Sequence, residues 1–319
     1  MYRFTLLFFT LIIQSQNVLA DSIITYNLSG GRFGDNLLSY LHAKWLSYST
    51  EIPLHIKIFP YAQDLVLYDR EIIYGSVPYP KNVLTLGRKY HFPDFQEETS
   101  YVVPYFPEST WEYQDPFWSG LHLFQVDWKS PTFRKIALEF IAPKSELTLT
   151  LPPKNCVSIA IHVREGGNFD TSQLQFDAPL KRPPLNFYSE AITEVMNFFD
   201  EQTLYFYIFT DACSPENIAN IIRETLPKNH PIEINYRTEQ NHDKINVLED
   251  FFSLFHYDVL IRPYSNFSII PELLHDYAIV VTPEHASIYE ANGTTKVIID
   301  EINVKIDEVL YDRLLNKMK

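Results

Sequence analysis

A histidine and an arginine stand two residues apart where an apolar run of the sequence ends. The run covers residues 157–163, and His162 and Arg164 lie at its end, just ahead of Gly166 and Gly167. Alternate residues of a strand share a face, so both side chains are expected on one side. A guanidinium fits phosphate oxygens two at a time, and an unpaired charge beside apolar residues is costly. The pattern predicts an anion site centred on Arg164, with an internal salt bridge as the alternative. His162 either supports that site or is a core histidine.

Two later stretches add polar groups at strand ends. Asp211 follows the apolar run 204–210, and an acidic residue in that place often contacts a ribose or a base. Helix capping by Asp211 is the alternative. Ser265, Phe267 and Ser268 lie at the start of a predicted helix, where one serine is expected to cap and backbone N–H groups attract anions.

A glycine-containing turn near the amino terminus also precedes a predicted helix. Residues 30–34 read Gly-Gly-Arg-Phe-Gly, which differs from the G-x-G-x-x-G spacing of dinucleotide-binding turns. Asp35 is the expected N-cap of a helix over residues 36–49. The turn is either structural or an anion-binding helix start.

The elements that must position these residues alternate between strands and helices from residue 151 onward. Asp250 falls in the third predicted helix of this part, where it faces either the sheet edge or solvent. Such alternation predicts a parallel sheet with helical crossovers. The predicted strands are 157–163, 204–210, 232–236, 259–262, 278–282 and 296–299, and the predicted helices are 185–199, 214–226, 246–256, 268–276 and a terminal one. Earlier in the chain the pattern predicts strands at 22–28, 54–59 and 101–104 and a helix at 131–141.

Size and composition predict two domains with large cores. The chain has 319 residues, of which 46% are hydrophobic and 21% charged. The Pro152-Pro153 pair is the predicted boundary, which separates residues 21–152 from residues 153–319. The net charge of −14 disfavours nucleic acid as the main partner. A small phosphorylated ligand needs only one or two well-placed cations.

The first twenty residues have the pattern of a signal peptide. Arg3 precedes an apolar stretch over residues 4–13, which is too short to span a bilayer, and Ala20 precedes a plausible cleavage point before Asp21. Export is therefore expected, to the outside, a periplasm or an endomembrane lumen. An uncleaved amino-terminal anchor is the alternative, and no later stretch has the length of a membrane helix.

Cysteines and tryptophans leave two further expectations. Cys156 precedes one predicted strand and Cys213 follows another, so parallel strands would hold them too far apart for a disulfide. Trp111, Trp118 and Trp128 lie among acidic residues, where they form either a cover over the core or a platform for glycans.

Four of these stretches, in this order, resemble the GDP-fucose-dependent fucosyltransferases of the α1,2, α1,6 and protein-O types. Those enzymes share a G-R-x-G-N/D-Q/N turn, a strand ending in H-x-R-R-x-D, a strand ending in F-S/T-D, and an S/T-x-F-S segment. The corresponding stretches here read GGRFGDN, HVREGG, IFTD and SNFS, with Asp250 as the acidic residue upstream of the last.

The resemblance implies an α/β protein with the GT-B fold, in which two Rossmann-like domains face one another across a cleft. Residues 21–152 would form the acceptor-side domain and residues 153–319 the nucleotide-sugar-binding domain. It implies an inverting transfer of fucose from GDP-fucose to a glycan or glycoprotein hydroxyl, without a metal or other cofactor. The implied catalytic residues are Arg164 and Asn36, and the implied donor-binding residues are Gly34, His162, Arg164, Asp211, Asp250, Ser265, Phe267 and Ser268.

The sequence departs from the family pattern at several positions. Glu165 replaces the second arginine, Gly167 replaces the aspartate, and Ile269 and Ile270 replace an aromatic pair. A carboxylate at residue 165 would repel a diphosphate if it faced the site. The alternative function is therefore a non-catalytic glycan- or nucleotide-binding protein with a fucosyltransferase-like fold.

Overall fold

The chain divides into two compact units, residues 1–146 and residues 147–319. The computed structural model describes residues 22–28, 31–86, 94, 96–104, 126–165, 178–199, 202–226, 233–239, 241–242, 244–291 and 294–317. The predicted signal peptide, Gly30, Trp111, Trp118, Gly166 and Gly167 lie outside the described residues. The roles predicted for the two parts of the chain stay predictions.

The amino-terminal unit is built on a three-stranded parallel sheet in the order β1-β5-β4, with a two-stranded parallel sheet, β2-β3, beside it. Its strands are β1 (Ile23–Tyr26), β2 (His55–Ile56), β3 (Ile72–Ile73), β4 (Asn82–Thr85) and β5 (Thr99–Val103), and its helices are α1 (Phe33–Thr50), α2 (Leu67–Arg70) and α3 (Pro131–Ile141). Ser130 caps α3, with its Oγ accepting a hydrogen bond from the Phe133 N–H. The bounds predicted for this helix are confirmed.

The start of α1 differs from the sequence prediction. The helix begins at Phe33, Arg32 occupies the N-cap position, and Asp35 lies in the first turn. The prediction that Asp35 is the N-cap is wrong, because the helical conformation already begins within the glycine turn. A side chain on Gly31 would place its Cβ 2.8 Å from the Cβ of Asp35, so this glycine is needed for the close approach of Asp35.

Trp128 belongs to the core of the amino-terminal unit. It is buried, and its ring lies 5.9 Å from that of His42 and 6.0 Å from that of Phe133. For this tryptophan the structure supports the core interpretation over the glycan platform.

The carboxyl-terminal unit alternates strands and helices around a six-stranded sheet. Its strands are β6 (Val157–Val163), β7 (Leu204–Thr210), β8 (Ile234–Tyr236), β9 (Val259–Ile261), β10 (Ile279–Ala291) and β11 (Thr294–Ile306). Its helices are α4 (Leu185–Asn197), α5 (Pro215–Thr225), α6 (Val247–Ser253), α7 (Asn266–Leu274) and α8 (Glu308–Lys317).

The strand order of this sheet is β11-β10-β9-β6-β7-β8. All neighbouring pairs are parallel except β10 and β11. The chain builds outward from β6 through β7 to β8, then returns to the other side of β6 to form β9. This is the strand order of dinucleotide-binding Rossmann domains, and its topological switch point lies between β6 and β9.

Helices cover both faces of the sheet. Val157, Ile159 and Ile161 of β6 pack in one cluster with apolar residues of α4 and α5, while Ala160 packs in another with Leu254 and Tyr257. All seven residues of β6 are consequently buried. This explains why β6 reads as a mainly apolar run, with only Ser158 and His162 polar, rather than as an alternating one.

The strand and helix bounds of this unit differ from the predictions mainly at their ends. The sequence predicts short strands at 278–282 and 296–299. In the structure the corresponding strands, β10 and β11, are each thirteen residues long and form a β-hairpin. The hairpin extends past the end of β9, because only residues 279–281 of β10 pair with β9. Cys156 and Cys213 are free thiols at the start of β6 and after β7.

Candidate functional site

The carboxyl ends of β6 and β9 hold the candidate site, because ligands of open α/β sheets bind at the switch point on that edge. A hydrogen bond of 2.7 Å joins Nδ1 of His162, on β6, to Oγ of Ser268, in the first turn of α7. The Ser268 hydroxyl also donates to the Ser265 carbonyl at 3.2 Å. His162 and Ser268 are both buried. The bond therefore connects the end of β6 to the segment that follows β9.

Ser265 and Ser268 have different roles at the start of α7. Ser265 occupies the N-cap position of α7, but its side chain makes no capping bond. Its carbonyl accepts the backbone N–H groups of Ser268 and Ile269. Phe267 completes the turn, with its ring 5.2 Å from that of His162 and 5.6 Å from that of Phe251. The prediction that one of these serines caps the helix is confirmed for the position of Ser265, although its hydroxyl makes no capping bond. The Ser268 hydroxyl contacts His162 and the Ser265 carbonyl instead.

Arg164 lies one residue beyond the end of β6, on the same edge of the sheet. The side chain is partly buried, and its Nε and Nη1 atoms are shielded from solvent. A guanidinium is always charged in proteins. The structure thus places a positive charge in a partly desolvated position at the end of β6, where Coulomb interactions with a ligand are stronger than in water.

Glu165 and Asp211 tie the end of β6 to the end of β7. The Glu165 N–H donates to Oδ1 of Asp211 at 2.8 Å. The Glu165 carboxylate accepts a hydrogen bond of 3.3 Å from Nη2 of Arg182. The acidic side chain that replaces the family's second arginine is therefore paired with a cation from another segment.

Asp250 lies in α6 and is held by Arg237, which follows β8. Nη2 of Arg237 donates to Oδ1 of Asp250. Burial raises the pKa of Asp250 to about 6, although attraction and hydrogen bonding by Arg237 lower it. The carboxylate faces the protein interior rather than solvent, which decides the alternative left open by the sequence. Its predicted contact with guanosine stays a prediction.

A buried ion pair, Arg262 with Glu272, joins the two sides of the serine turn, which is formed by residues 265–268. Arg262 follows β9 and is 4% exposed, and its Nε donates to Oε2 of Glu272, in α7, at 2.6 Å. Lys305, on β11, contacts Oε1 of Glu272 at 3.3 Å. Burial alone would raise the pKa of Glu272, but attraction and hydrogen bonds from Arg262 and Lys305 outweigh it and lower the pKa. The pair anchors α7 to the end of β9.

The two predicted site residues of the amino-terminal unit lie at the start of α1. Gly34 and Asn36 are both buried. The Asn36 amide donates to the carbonyls of Gly31 and Arg32, at 3.0 Å and 3.1 Å. These bonds give Asn36 a role in fixing the glycine turn, and its predicted catalytic role stays a prediction.

The structure therefore brings seven predicted residues of the carboxyl-terminal unit to the carboxyl-end side of one sheet. These are His162, Arg164, Asp211, Asp250, Ser265, Phe267 and Ser268. The sequence interpretation missed three cations at or beside this edge: Arg182, Arg237 and Arg262. Arg262 could have been found, because it ends a predicted strand, 259–262, much as Arg164 follows another.

Among the described residues no three His, Cys, Asp or Glu side chains are grouped so that they could hold a metal ion. None of the described helices combines the length and apolar composition that a bilayer span requires.

No protein-family model and no curated protein sequence matches the chain. Many solved structures do match it, among them several of the fucosyltransferase NodZ. NodZ α1,6-fucosyltransferase soaked with GDP-fucose has a TM-score of 0.52 at 11% identity, over 90% of this chain and 99% of that chain. Fucosyltransferase NodZ from Bradyrhizobium has a TM-score of 0.51 at 13% identity, over 88% and 99%. NodZ co-crystallised with GDP has a TM-score of 0.50 at 13% identity, over 88% and 98%.

These similarities extend over nearly the whole length of both chains, and at such identities they show a shared fold. The resemblance that the sequence motifs indicated is confirmed at this level, and so is the predicted fold class. The chain has the GT-B α/β fold of the GDP-fucose-dependent fucosyltransferases.

Proposed function

We propose that the chain is a glycosyltransferase that moves fucose from GDP-fucose to a hydroxyl of a glycan or protein. The observation that carries the proposal is the arrangement at the switch point of the carboxyl-terminal sheet. Arg164 stands there at the end of β6, and the His162–Ser268 hydrogen bond joins that strand to the start of α7. The fold shared with a structure soaked with GDP-fucose supports the choice of donor.

Each donor-site residue has a defined task in this proposal. Arg164 and the amino-terminal N–H groups of α7 bind the diphosphate, since both present positive charge toward an anion. Asp211 and Asp250 hold the guanosine through its hydrogen-bond donors. His162 keeps α7 in register with β6, and Phe267 offers a ring face beside it.

The proposed chemistry is a single displacement that inverts the anomeric carbon. An acceptor hydroxyl loses its proton to a base and attacks that carbon while the bond to GDP breaks. Negative charge grows on the leaving diphosphate, and Arg164 stabilises it there, which is electrostatic catalysis without a metal. Glu165 is poorly suited as the base because Arg182 holds its carboxylate. The other candidate for this base is Asp35, which lies in the first turn of α1.

A donor panel tests the proposal. The protein is incubated with GDP-fucose, GDP-mannose and UDP-sugars, with a glycan array as acceptor, and released nucleotide is measured with and without EDTA. We expect GDP to be released from GDP-fucose, release to increase with a suitable acceptor, and EDTA to leave the rate unchanged. The anomeric configuration of the product, read by NMR, should be opposite to that of the donor.

The same panel separates the catalytic function from the non-catalytic alternative. If GDP binds but no donor releases it with any acceptor, the chain is a nucleotide- or glycan-binding protein. The replacement of the family's second arginine by Glu165 is the observation that favours this alternative.

Asp250 predicts a pH dependence of GDP affinity. Its pKa of about 6 means that the carboxylate is charged above pH 6 and becomes protonated below it. We expect GDP binding to weaken by about threefold to tenfold between pH 7.5 and pH 5, because the neutral carboxyl is a weaker acceptor for guanine N–H groups. Calorimetry over this range measures the change, and Asp250→Asn should bind weakly throughout, without the step.

The stability contribution of Asp250 has the opposite pH trend. Its folded pKa is raised above the unfolded value of 3.8, so the folded state binds more protons between those two values. The free energy of unfolding from this group therefore rises as the pH falls through about 6.

A GDP affinity that stays constant across this range in the wild type would contradict the proposed contact.

Export is part of the same proposal. A signal peptide over residues 1–20 would deliver the enzyme to a compartment where nucleotide sugars and glycan acceptors meet, such as an endomembrane lumen. Amino-terminal sequencing of the mature chain tests it. A chain that begins at Asp21 agrees with the proposal, and one that begins at Met1 contradicts cleavage.

A further inference from the structure

The pairing of Glu165 with Arg182 introduces a second cation at the edge where Arg164 lies. Nη2 of Arg182 is 3.3 Å from Oε2 of Glu165, and Glu165 is the next residue after Arg164. The side chains of Arg182 and Glu165 are 23% and 36% exposed. An ion pair this accessible contributes little to stability, so folding alone does not account for it.

The backbone that carries Arg182 is tied to the serine turn of the same site. The Tyr264 N–H, one residue before Ser265, donates to the Leu180 carbonyl at 2.8 Å. The Arg182 N–H in turn donates to the Ala178 carbonyl at 3.2 Å. Arg182 is therefore anchored between the segments that follow β6 and β9, which are the two sides of the switch point.

Without Arg182, the charges of Arg164, Glu165 and Asp211 sum to −1, and Arg182 brings the sum to zero and so removes the net repulsion of a diphosphate. Arg164 and Glu165 cancel in formal charge, and Asp211, which accepts the Glu165 N–H, adds a negative charge. A diphosphate that carries two or more negative charges would gain little from such a group. Arg182 restores a positive partner, and its planar fork can bind two phosphate oxygens at once.

We propose that Arg182 is a second diphosphate-binding residue of the donor site and that Glu165 positions its guanidinium. The inference rests on the proposed function, because it assumes that a guanosine diphosphate occupies the switch point. Glu165 acts in this arrangement as a positioning residue and takes no direct part in binding the donor.

The test is calorimetry of the full chain with GDP and with guanosine. Arg182→Ala should bind GDP about tenfold to a hundredfold more weakly than the wild type, which is the expected loss for one charge-assisted contact. Guanosine, which has no phosphate, should bind equally to both. Arg313→Ala is the matched control, since Arg313 is an exposed arginine of α8, and it should leave GDP affinity unchanged.

A double variant separates a direct contact from mere neutralisation of Glu165. If Arg182 binds the diphosphate, then Glu165→Gln/Arg182→Ala still binds GDP weakly. If Arg182 only cancels the charge of Glu165, removing both charges restores wild-type affinity, and this result overturns the inference. Equal GDP affinity of wild type and Arg182→Ala also overturns it, as does an equal loss for GDP and guanosine.

The failure of the underlying function gives a different result. A wild-type protein that binds no GDP overturns the proposed donor site and the role of Arg182 together. Thermal unfolding of each variant is measured alongside. Arg182→Lys, which keeps the charge but loses the fork, should bind GDP with intermediate affinity, and wild-type affinity in this variant would contradict bidentate binding.

Discussion

Arg164→Ala is expected to weaken GDP binding by about 30-fold or more. Nε and Nη1 of its guanidinium are shielded from solvent at the end of β6, where a contact with the diphosphate would be strong and hard to replace by water. Removing one partner of a desolvated, hydrogen-bonded charge pair costs about 2–5 kcal/mol of binding free energy, which corresponds to a factor between about 30 and several thousand. Isothermal calorimetry with GDP measures the loss directly.

The pattern across ligands and variants identifies the cause. Arg164→Lys should recover part of the affinity, because the charge remains while the two-pronged geometry is lost. Arg313→Ala, on the surface of α8, should bind as the wild type does. Equal GDP affinity in Arg164→Ala and the wild type would remove Arg164 from the donor site.

Glu272→Ala is expected to destabilise the carboxyl-terminal unit by about 3–5 kcal/mol, since it leaves the buried charge of Arg262 without its carboxylate. The side chains of Arg262 and Glu272 are only 5% and 14% exposed, so solvent cannot replace the lost partner. Urea unfolding monitored by far-UV circular dichroism measures the change in the free energy of unfolding.

Two variants make the stability prediction specific. Glu301→Ala removes an exposed carboxylate of the hairpin that pairs with His285 at 3.5 Å, and it should change stability by less than about 1 kcal/mol. Replacing both Arg262 and Glu272 by methionine should recover much of the loss, because no uncompensated charge remains. A Glu272→Ala protein as stable as Glu301→Ala would contradict the account.

The pH trend of the Glu272 contribution follows from its lowered pKa. The folded pKa lies below the unfolded value of 4.5, so the folded state binds fewer protons in that interval. The stabilisation is present above the unfolded pKa and is lost as the pH falls through the folded pKa. The difference between wild type and Glu272→Ala should therefore shrink in acid.

Much of the carboxyl-terminal unit could be predicted because its strands are buried on both faces. β6 and β7 read as mainly apolar runs, and their predicted bounds, 157–163 and 204–210, agree with the structure. The hairpin of β10 and β11 was underestimated. Its outer part carries exposed residues such as Ile288 and Ile298 among polar ones, so its strands lack a continuous apolar signal.

The amino-terminal unit was harder to predict because its elements are short and its signals conflict. β2 and β3 have two residues each, too few for any periodicity. Asp35 has the residue type of an N-cap, yet the turn formed by Gly31 and Arg32 starts the helix earlier. Local propensity indicated a helix here and could not fix its first residue.

The candidate site could likewise be predicted only in part. His162, Arg164, Asp211 and Ser268 were predictable since each stands at the end of a strand or the start of a helix, and parallel strands bring those positions to one edge. Their ionic partners were not. Arg182 is 17 residues from Glu165, and Arg237 is 13 residues from Asp250, and the sequence does not state which loop side chains meet across an edge.

A crystal structure of the protein with bound GDP is the most direct test of the central claim. The account predicts the diphosphate at the carboxyl ends of β6 and β9, within hydrogen-bond distance of the Arg164 guanidinium and the first N–H groups of α7. The opposite edge of the same sheet offers a contrasting location, a cavity of about 270 Å³ that is lined by His256, His275 and Arg313 among others. Density for GDP in that cavity, or a diphosphate that contacts neither Arg164 nor α7, would contradict the account.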